Sequence, residues 1–187
     1  LLSIFEGNGV LLVPDPVFSG ITGIAKLLGI KIVPVPMTVF LDPIALRRLI
    51  EALESRGERI KALYAIPDFS NPTADSLSHY DRRAMLSLAN EKNFFILEDT
   101  AYRYFRYEGA AIASMKSVDS RRVFLLGSFA KSIFPGLRMG YVVAPEGTGV
   151  MSFSGRLCKA KSLITVNTPA VCQAVVAGLL IEHNYSL

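Results

Sequence analysis

The residues best suited to chemistry lie in one stretch, Gly127–Tyr141, which reads GSFAKSIFPGLRMGY. A single lysine, Lys131, stands between two apolar runs, Val123–Leu126 and Met139–Ala144. An amine held between two buried strands is costly to keep charged. Its pKa is then expected to fall, and the neutral amine becomes a nucleophile. Forming a Schiff base with a carbonyl compound is what such a lysine can do. Ser128 stands three residues before Lys131 and Arg138 seven after it. A hydroxyl and a forked, planar cation at those places can hold a phosphate. Taken alone, the stretch also reads as a surface loop with an ordinary lysine.

The flanking sequence must supply the frame for this stretch. Gly9–Val13 is a predicted strand, broken by Pro14-Asp15-Pro16. Thr22–Leu28 is a helix closed by Gly29, and Lys31–Val35 is β-branched and strand-like. Asp42 suits an N-cap with Pro43 at the first helical position. Leu46, Leu49, Ile50 and Leu53 then build one apolar face of a helix ending near Gly57. Ile60–Ile66 is the next strand, and Ser78 caps a helix to Lys92 with Met85, Leu88 and Ala89 inward. Phe94–Leu97 is a strand that delivers Glu98 and Asp99 at its carboxyl end. Ala110–Ser120 reads as an irregular connection. Val123–Leu126 and Met139–Ala144 read as strands joined by a turn, not by a helix. Thr148–Lys161 and Pro169–Glu182 read as helices, the second carrying Val171, Ala174, Val175 and Leu179.

Strands alternating with helices imply right-handed crossovers and an α/β fold: a mainly parallel mixed sheet with helices on both faces. The short link around Lys131 makes one strand antiparallel. Ligands gather at strand carboxyl ends in such sheets, and Asn71, Asp99 and Ser128 each fall just after a strand.

Composition narrows the class. The 187 residues suffice for one domain with a sizeable core, and 51% of them are hydrophobic, which argues for a packed globular chain. A net charge of +4 with no dense Lys/Arg run does not support nucleic-acid binding. Cys158 and Cys172, 14 residues apart, have no metal-ligand spacing and read as reduced core thiols. No metal site is expected. No apolar run has transmembrane length and no signal peptide is apparent, so a cytoplasmic protein without a membrane partner is the expectation.

Three motifs in order carry a resemblance. Gly127–Tyr141 resembles the lysine segment of fold-type-I pyridoxal-phosphate enzymes, GSFSK followed by PGLR and GY. Tyr64–Thr73 (YAIPDFSNPT) resembles their NPTG segment, and Leu97–Tyr102 (LEDTAY) their EDD-and-tyrosine segment. Asn71 and Asp99 are 28 residues apart, and Lys131 lies 32 beyond Asp99. The chain is similar to class I/II aminotransferases of the 2-aminoadipate and kynurenine type along nearly its whole length.

The resemblance implies pyridoxal 5'-phosphate (PLP) as cofactor, and amino acid and 2-oxo acid as substrates. Lys131 would carry the Schiff base and move the proton. Asp99 would pair with the ring nitrogen. Tyr102 and Asn71 would donate to the phenolic oxygen, and Ser128 and Arg138 would hold the phosphate. Phe18 would stack on the ring. Each has a plainer reading: an N-cap for Asp99, a packed aromatic for Tyr102 and Phe18, a turn residue for Asn71 and Ser128, an ion pair for Arg138. The chain departs from the family pattern at Ala74 (usually glycine), Ser70 (often glutamine) and Ala130 (often serine).

The resemblance further implies that residues 1–187 are a partial PLP-binding large domain. A Gly-Ser-rich phosphate loop would precede Leu1, and a small domain with the arginine for the substrate α-carboxylate would follow Leu187. It implies a homodimer. Two alternatives stay open: another PLP-dependent enzyme (decarboxylase, lyase or oxidase), and the aminotransferase-like sensor domain of a GntR/MocR-type transcription regulator. Such sensors keep the lysine but commonly lose the asparagine; Asn71 is present.

Overall fold

The apolar runs become the strands of a single sheet. In a computed structural model, which describes residues 9–145 and 152–184, the strands are β1 (Val10–Asp15), β2 (Lys31–Pro36), β3 (Ile60–Ala65), β4 (Phe95–Asp99), β5 (Val123–Ser128) and β6 (Gly140–Val143). The helices are α1 (Ser19–Leu27), α2 (Met37–Phe40), α3 (Pro43–Glu54), α4 (His79–Lys92), α5 (Met115–Val118), α6 (Phe129–Ser132), α7 (Phe153–Thr165) and α8 (Ala170–Glu182). The sheet order is β2-β1-β3-β4-β5-β6. Every pairing is parallel except β5 with β6, which is antiparallel as expected.

Proline placement follows the pairing. Pro34 and Pro36 sit in β2, an edge strand, where a missing N–H leaves no ladder broken on the open side. β1 was expected to stop at Pro14 but continues to Asp15. Beyond Leu12 it pairs only with β2, so the proline faces no β3 carbonyl that needs a donor.

Two apolar layers cover the sheet. On one side Leu12, Leu63, Ile96 and Val123 pack beneath Leu46 and Ile50 of α3 and Met85 and Ala89 of α4. Burying each of the larger side chains contributes about 1.5–3 kcal/mol. On the other side Leu11, Val13, Tyr64, Leu97 and Phe124 pack against Ile21 and Ala25 of α1, with Phe153 and Leu157 of α7 at the margin. The helix starts are as the sequence implies. Asp42 Oδ1 accepts from the Ile44 and Ala45 amides at 2.9 and 3.2 Å. Ser78 and Asp81 form a reciprocal capping box at the start of α4.

Several expectations are corrected. The Ala110–Ser120 connection contains α5, because Ser114 caps it and Glu98 receives its first amides. The link between β5 and β6 holds one helical turn, α6, and a 3₁₀ turn at Pro135–Leu137. Of the helix expected at Thr148–Lys161, residues 148–151 lie outside the described residues; the described part starts at Phe153 and runs to Thr165. In α8 the buried residue is Val176, while Val171 and Val175 are exposed. Cys158 and Cys172 are free, but neither is in the core: Cys158 is exposed and Cys172 half-buried, and among the described residues α7 has no fully buried side chain and α8 only that of Val176.

Candidate active site

Parallel strands end at the same edge, so the residues following β1, β3, β4 and β5 are delivered to one rim. There the chain places Phe18, Asn71, Asp99, Ser128 and Lys131. Thr100 locks the rim: its amide and its hydroxyl both donate to the Leu126 carbonyl, at 2.9 and 3.0 Å. The carboxyl ends of β4 and β5 are thereby held in register.

Asp99 closes β4 on the α1 side of the sheet. Its Oδ2 accepts from the Tyr64 hydroxyl at 2.7 Å, and its Oδ1 from the Ala101 amide at 3.1 Å. Tyr64 lies buried in the layer beneath. Burial, and then the adjacent Asp99 carboxylate, push the Tyr64 phenol far above its ordinary value, so it keeps its proton. Asn71 Nδ2 donates to the Tyr102 hydroxyl oxygen at 3.3 Å. The Lys131 ammonium lies 5.9 Å from the centroid of the Tyr102 ring, within cation–π range. Asn71, Tyr102 and Lys131, far apart in sequence, thus meet.

The Lys131 turn is built by close backbone approach. Ser128 caps α6, its hydroxyl accepting from the Ala130 amide at 3.2 Å, and the Phe129 amide donates to the Met139 carbonyl at 3.0 Å. Across β5 and β6, Gly127 pairs with Tyr141 and Ser128 with Gly140: a Cβ on Gly127 would run into the Tyr141 ring, and one on Gly140 would sit 2.7 Å from the Gly127 carbonyl oxygen. Arg138 ends the turn at a φ of +49°, with Nη1 donating to the Pro135 carbonyl at 3.4 Å. Phe18 precedes α1 and is exposed.

Lys131 was expected between two buried strands, but it is exposed and every residue of β6 is exposed. β6 is the last strand of the sheet, and among the described residues it pairs with β5 alone.

The loop carrying Asn71 is held from below by groups that sequence reasoning did not single out. Arg82 is buried on α4 and donates to Pro67, Leu77 and Ala113 carbonyls and to Asp68 Oδ1, the last at 2.8 Å. Arg106 joins the same carboxylate oxygen at 3.2 Å. The signal was present: Arg82 stands three and four residues before Met85 and Leu86, on the inward stripe of α4. Ala74, where glycine was expected, still adopts the left-handed conformation at a φ of +62°. Glu98, also buried, points to the opposite side from Asp99. It accepts from the Met115 and Lys116 amides at 2.7 and 2.9 Å, and burial raises its pKa above the ordinary carboxylate value.

The profile of the family described as "Aminotransferase class I and II" matches residues 1–185. The chain belongs to that family. It is 39% identical to the (S)-3,5-dihydroxyphenylglycine transaminase of Amycolatopsis orientalis, over 97% of this chain and 42% of that protein. It is 32% identical to an uncharacterized HTH-type transcriptional regulator, YdeF, of Bacillus subtilis, over 69% of this chain and 27% of that protein. Among solved structures it superposes on the α-aminoadipate aminotransferase LysN of Thermus thermophilus, complexed with N-(5'-phosphopyridoxyl)-L-leucine, with a TM-score of 0.80 and 30% identity, over 96% of this chain and 45% of that one. The chain therefore spans less than half the length of these relatives.

The donor set on the rim fits PLP, the cofactor of this family. There Lys131 would supply an amine for the aldehyde, Asp99 a carboxylate for the pyridinium nitrogen, Asn71 and Tyr102 donors for the phenolic oxygen, and Ser128 and Arg138 a hydroxyl and a guanidinium for the phosphate. The paired Asn71 and Tyr102 beside the Lys131 ammonium are the structural observation behind this match.

Proposed function

We propose that this chain is the cofactor-holding part of a PLP-dependent aminotransferase that exchanges amino and keto groups between an L-amino acid and a 2-oxo acid. The meeting of Asn71, Tyr102 and Lys131 on the rim that also carries Asp99 is the observation that carries the reading. When bound, PLP supplies the electron sink that lets a bond at the substrate α-carbon break heterolytically. Everything else falls to side chains. Lys131 would anchor the cofactor and then take and return the α-proton. Asp99, its two oxygens already oriented by Tyr64 and the Ala101 amide, would pair with the ring nitrogen. Asn71 and Tyr102 would donate to the phenolic oxygen, Ser128 and Arg138 would hold the phosphate, and Phe18 would stack on the ring.

We propose that the site is completed outside these residues: by a phosphate-binding segment before Leu1, a small domain after Leu187 with the arginine for the α-carboxylate, and a second subunit. Support comes from the share of the relatives' length that the chain spans and from the exposure of every β6 residue. A cytoplasmic location agrees with two free cysteines. Among the described residues no helix is long and apolar enough to cross a membrane.

The similarity to a regulator favours a second reading, a ligand-sensing domain; Asn71 in contact with Tyr102 favours the enzyme. The deciding experiment incubates the full-length protein with PLP and a panel of L-amino acids, with 2-oxoglutarate as acceptor, beside Lys131→Ala. Transfer of the amino group that depends on Lys131, by a factor on the order of 10²–10⁴, is expected. A Lys131-dependent visible band with no transfer from any amino acid would leave the sensor as the better account.

A further inference from the structure

We propose that Tyr64 is a positioning residue for the cofactor, acting through Asp99; the inference rests on the PLP reading above. No motif position of the family resemblance assigned it a role. β3 and β4 are paired in parallel with Tyr64 opposite Leu97, so Tyr64, Leu97 and Asp99 project to the same side of the sheet. The tyrosine ring fills the buried layer, and its hydroxyl reaches Asp99 Oδ2 at 2.7 Å. The Ala101 amide takes Oδ1 at 3.1 Å.

A carboxylate at the end of a strand can rotate about its last bond. Two donors, one on each oxygen and from different parts of the chain, fix that rotation. The remaining lone pairs then keep one direction, and half-buried Asp99 is left able to meet a ring nitrogen. A buried phenol whose proton is held this firmly acts as a donor throughout the working pH range. Tyr64 also explains why a polar group was placed in an otherwise apolar layer: a buried tyrosine hydroxyl finds a partner, and Asp99 is that partner.

The test uses the full-length protein as wild type, Tyr64→Phe, Asp99→Asn and the double variant. Phenylalanine keeps the ring and its packing, and thermal unfolding of the apo forms checks that it does. Three quantities are read: the PLP dissociation constant of the apo protein, the pH midpoint of the bound cofactor's visible absorption, and kcat against KM for the amino donor. Tyr64→Phe is expected to weaken PLP binding about tenfold, the scale of one hydrogen bond to a charged group. It should also displace the pH midpoint and lower kcat with little change in KM. In the Asp99→Asn background the same substitution should have little further effect, because its route to the cofactor is already cut. Equal losses in both backgrounds, or an unchanged affinity and pH midpoint in Tyr64→Phe, would overturn the inference. Absence of any Lys131-dependent PLP band in the wild type would instead overturn the cofactor reading on which it stands.

Discussion

Glu98 and Asp99 are consecutive acids at the end of one strand, and they serve opposite sides of the sheet. Glu98 enters the side closed by α3, α4 and α5. It is fully buried and engaged by two backbone amides, with no outlet to the rim. Asp99 enters the side covered by α1 and, at its margin, α7. It is half-buried, and two donors fix its direction while leaving it open to the rim. The closed side spends its polar groups on its own backbone: Arg82 and Asp68 brace the Asn71 loop, and Glu98 caps α5. The other side presents its polar groups outward. Two identical chemical functions one residue apart thus become a structural brace and a chemical tool, by the alternation of a β-strand alone.

That contrast is open to experiment. The largest effect belongs to the closed side. Arg82→Ala leaves Asp68 buried with Arg106 as its remaining ion-pair partner among the described residues and should cost about 3–5 kcal/mol of stability, read from denaturant unfolding of the full-length protein. Next comes Asp99→Asn, which should lower amino-group transfer by about 10²-fold or more while barely moving the unfolding midpoint. Glu98→Gln should do the reverse. One of two α5 amides meets an NH₂ group instead of an oxygen, costing about 1–3 kcal/mol, with activity per folded molecule unchanged. If Glu98→Gln impaired transfer as much as Asp99→Asn, the division between the two sides would collapse.

Acid–base linkage sharpens the point. Glu98 has a folded-state pKa raised above its ordinary 4.5, chiefly by burial. Between those two values the folded chain keeps a proton that the unfolded chain has released, so unfolding free energy falls as pH rises through that window. Stability against pH, measured from pH 4.5 upward, should show this decline in wild type and lose it in Glu98→Gln. The smallest effect is at Ala74. A non-glycine residue at a φ of +62° is strained, and Ala74→Gly should raise stability by about 0.5–1 kcal/mol.

Much of the scaffold was legible in local sequence. Asp42 with Pro43, Ser78 with Asp81, and the stripe from Leu46 to Leu53 mark helices whose causes lie within a turn or two of the chain. The three motifs named the rim residues, and the alternation of strands and helices put them at one edge. What stayed hidden depends on partners distant in sequence. Whether β1 survives Pro14 turns on which neighbour it lacks. The expected burial of Lys131 failed because an apolar run shows that a strand is apolar, not that something covers it. In α8 the apolar residues surround the helix, so periodicity could not single out Val176 as the inward one.

The sequence by itself therefore determined the element types, the mixed sheet with helices on both sides, and the identity of the chemical groups, because caps, periodicity and motif order act over short distances. Only the tertiary structure decided which of those groups meet. It paired Asn71 with Tyr102, brought Lys131 to the Tyr102 ring, and set the Tyr64 hydroxyl on Asp99 and Arg82 under the Asn71 loop. Each of those contacts spans two elements and is fixed by strand register and helix packing, which no local stretch of the chain encodes.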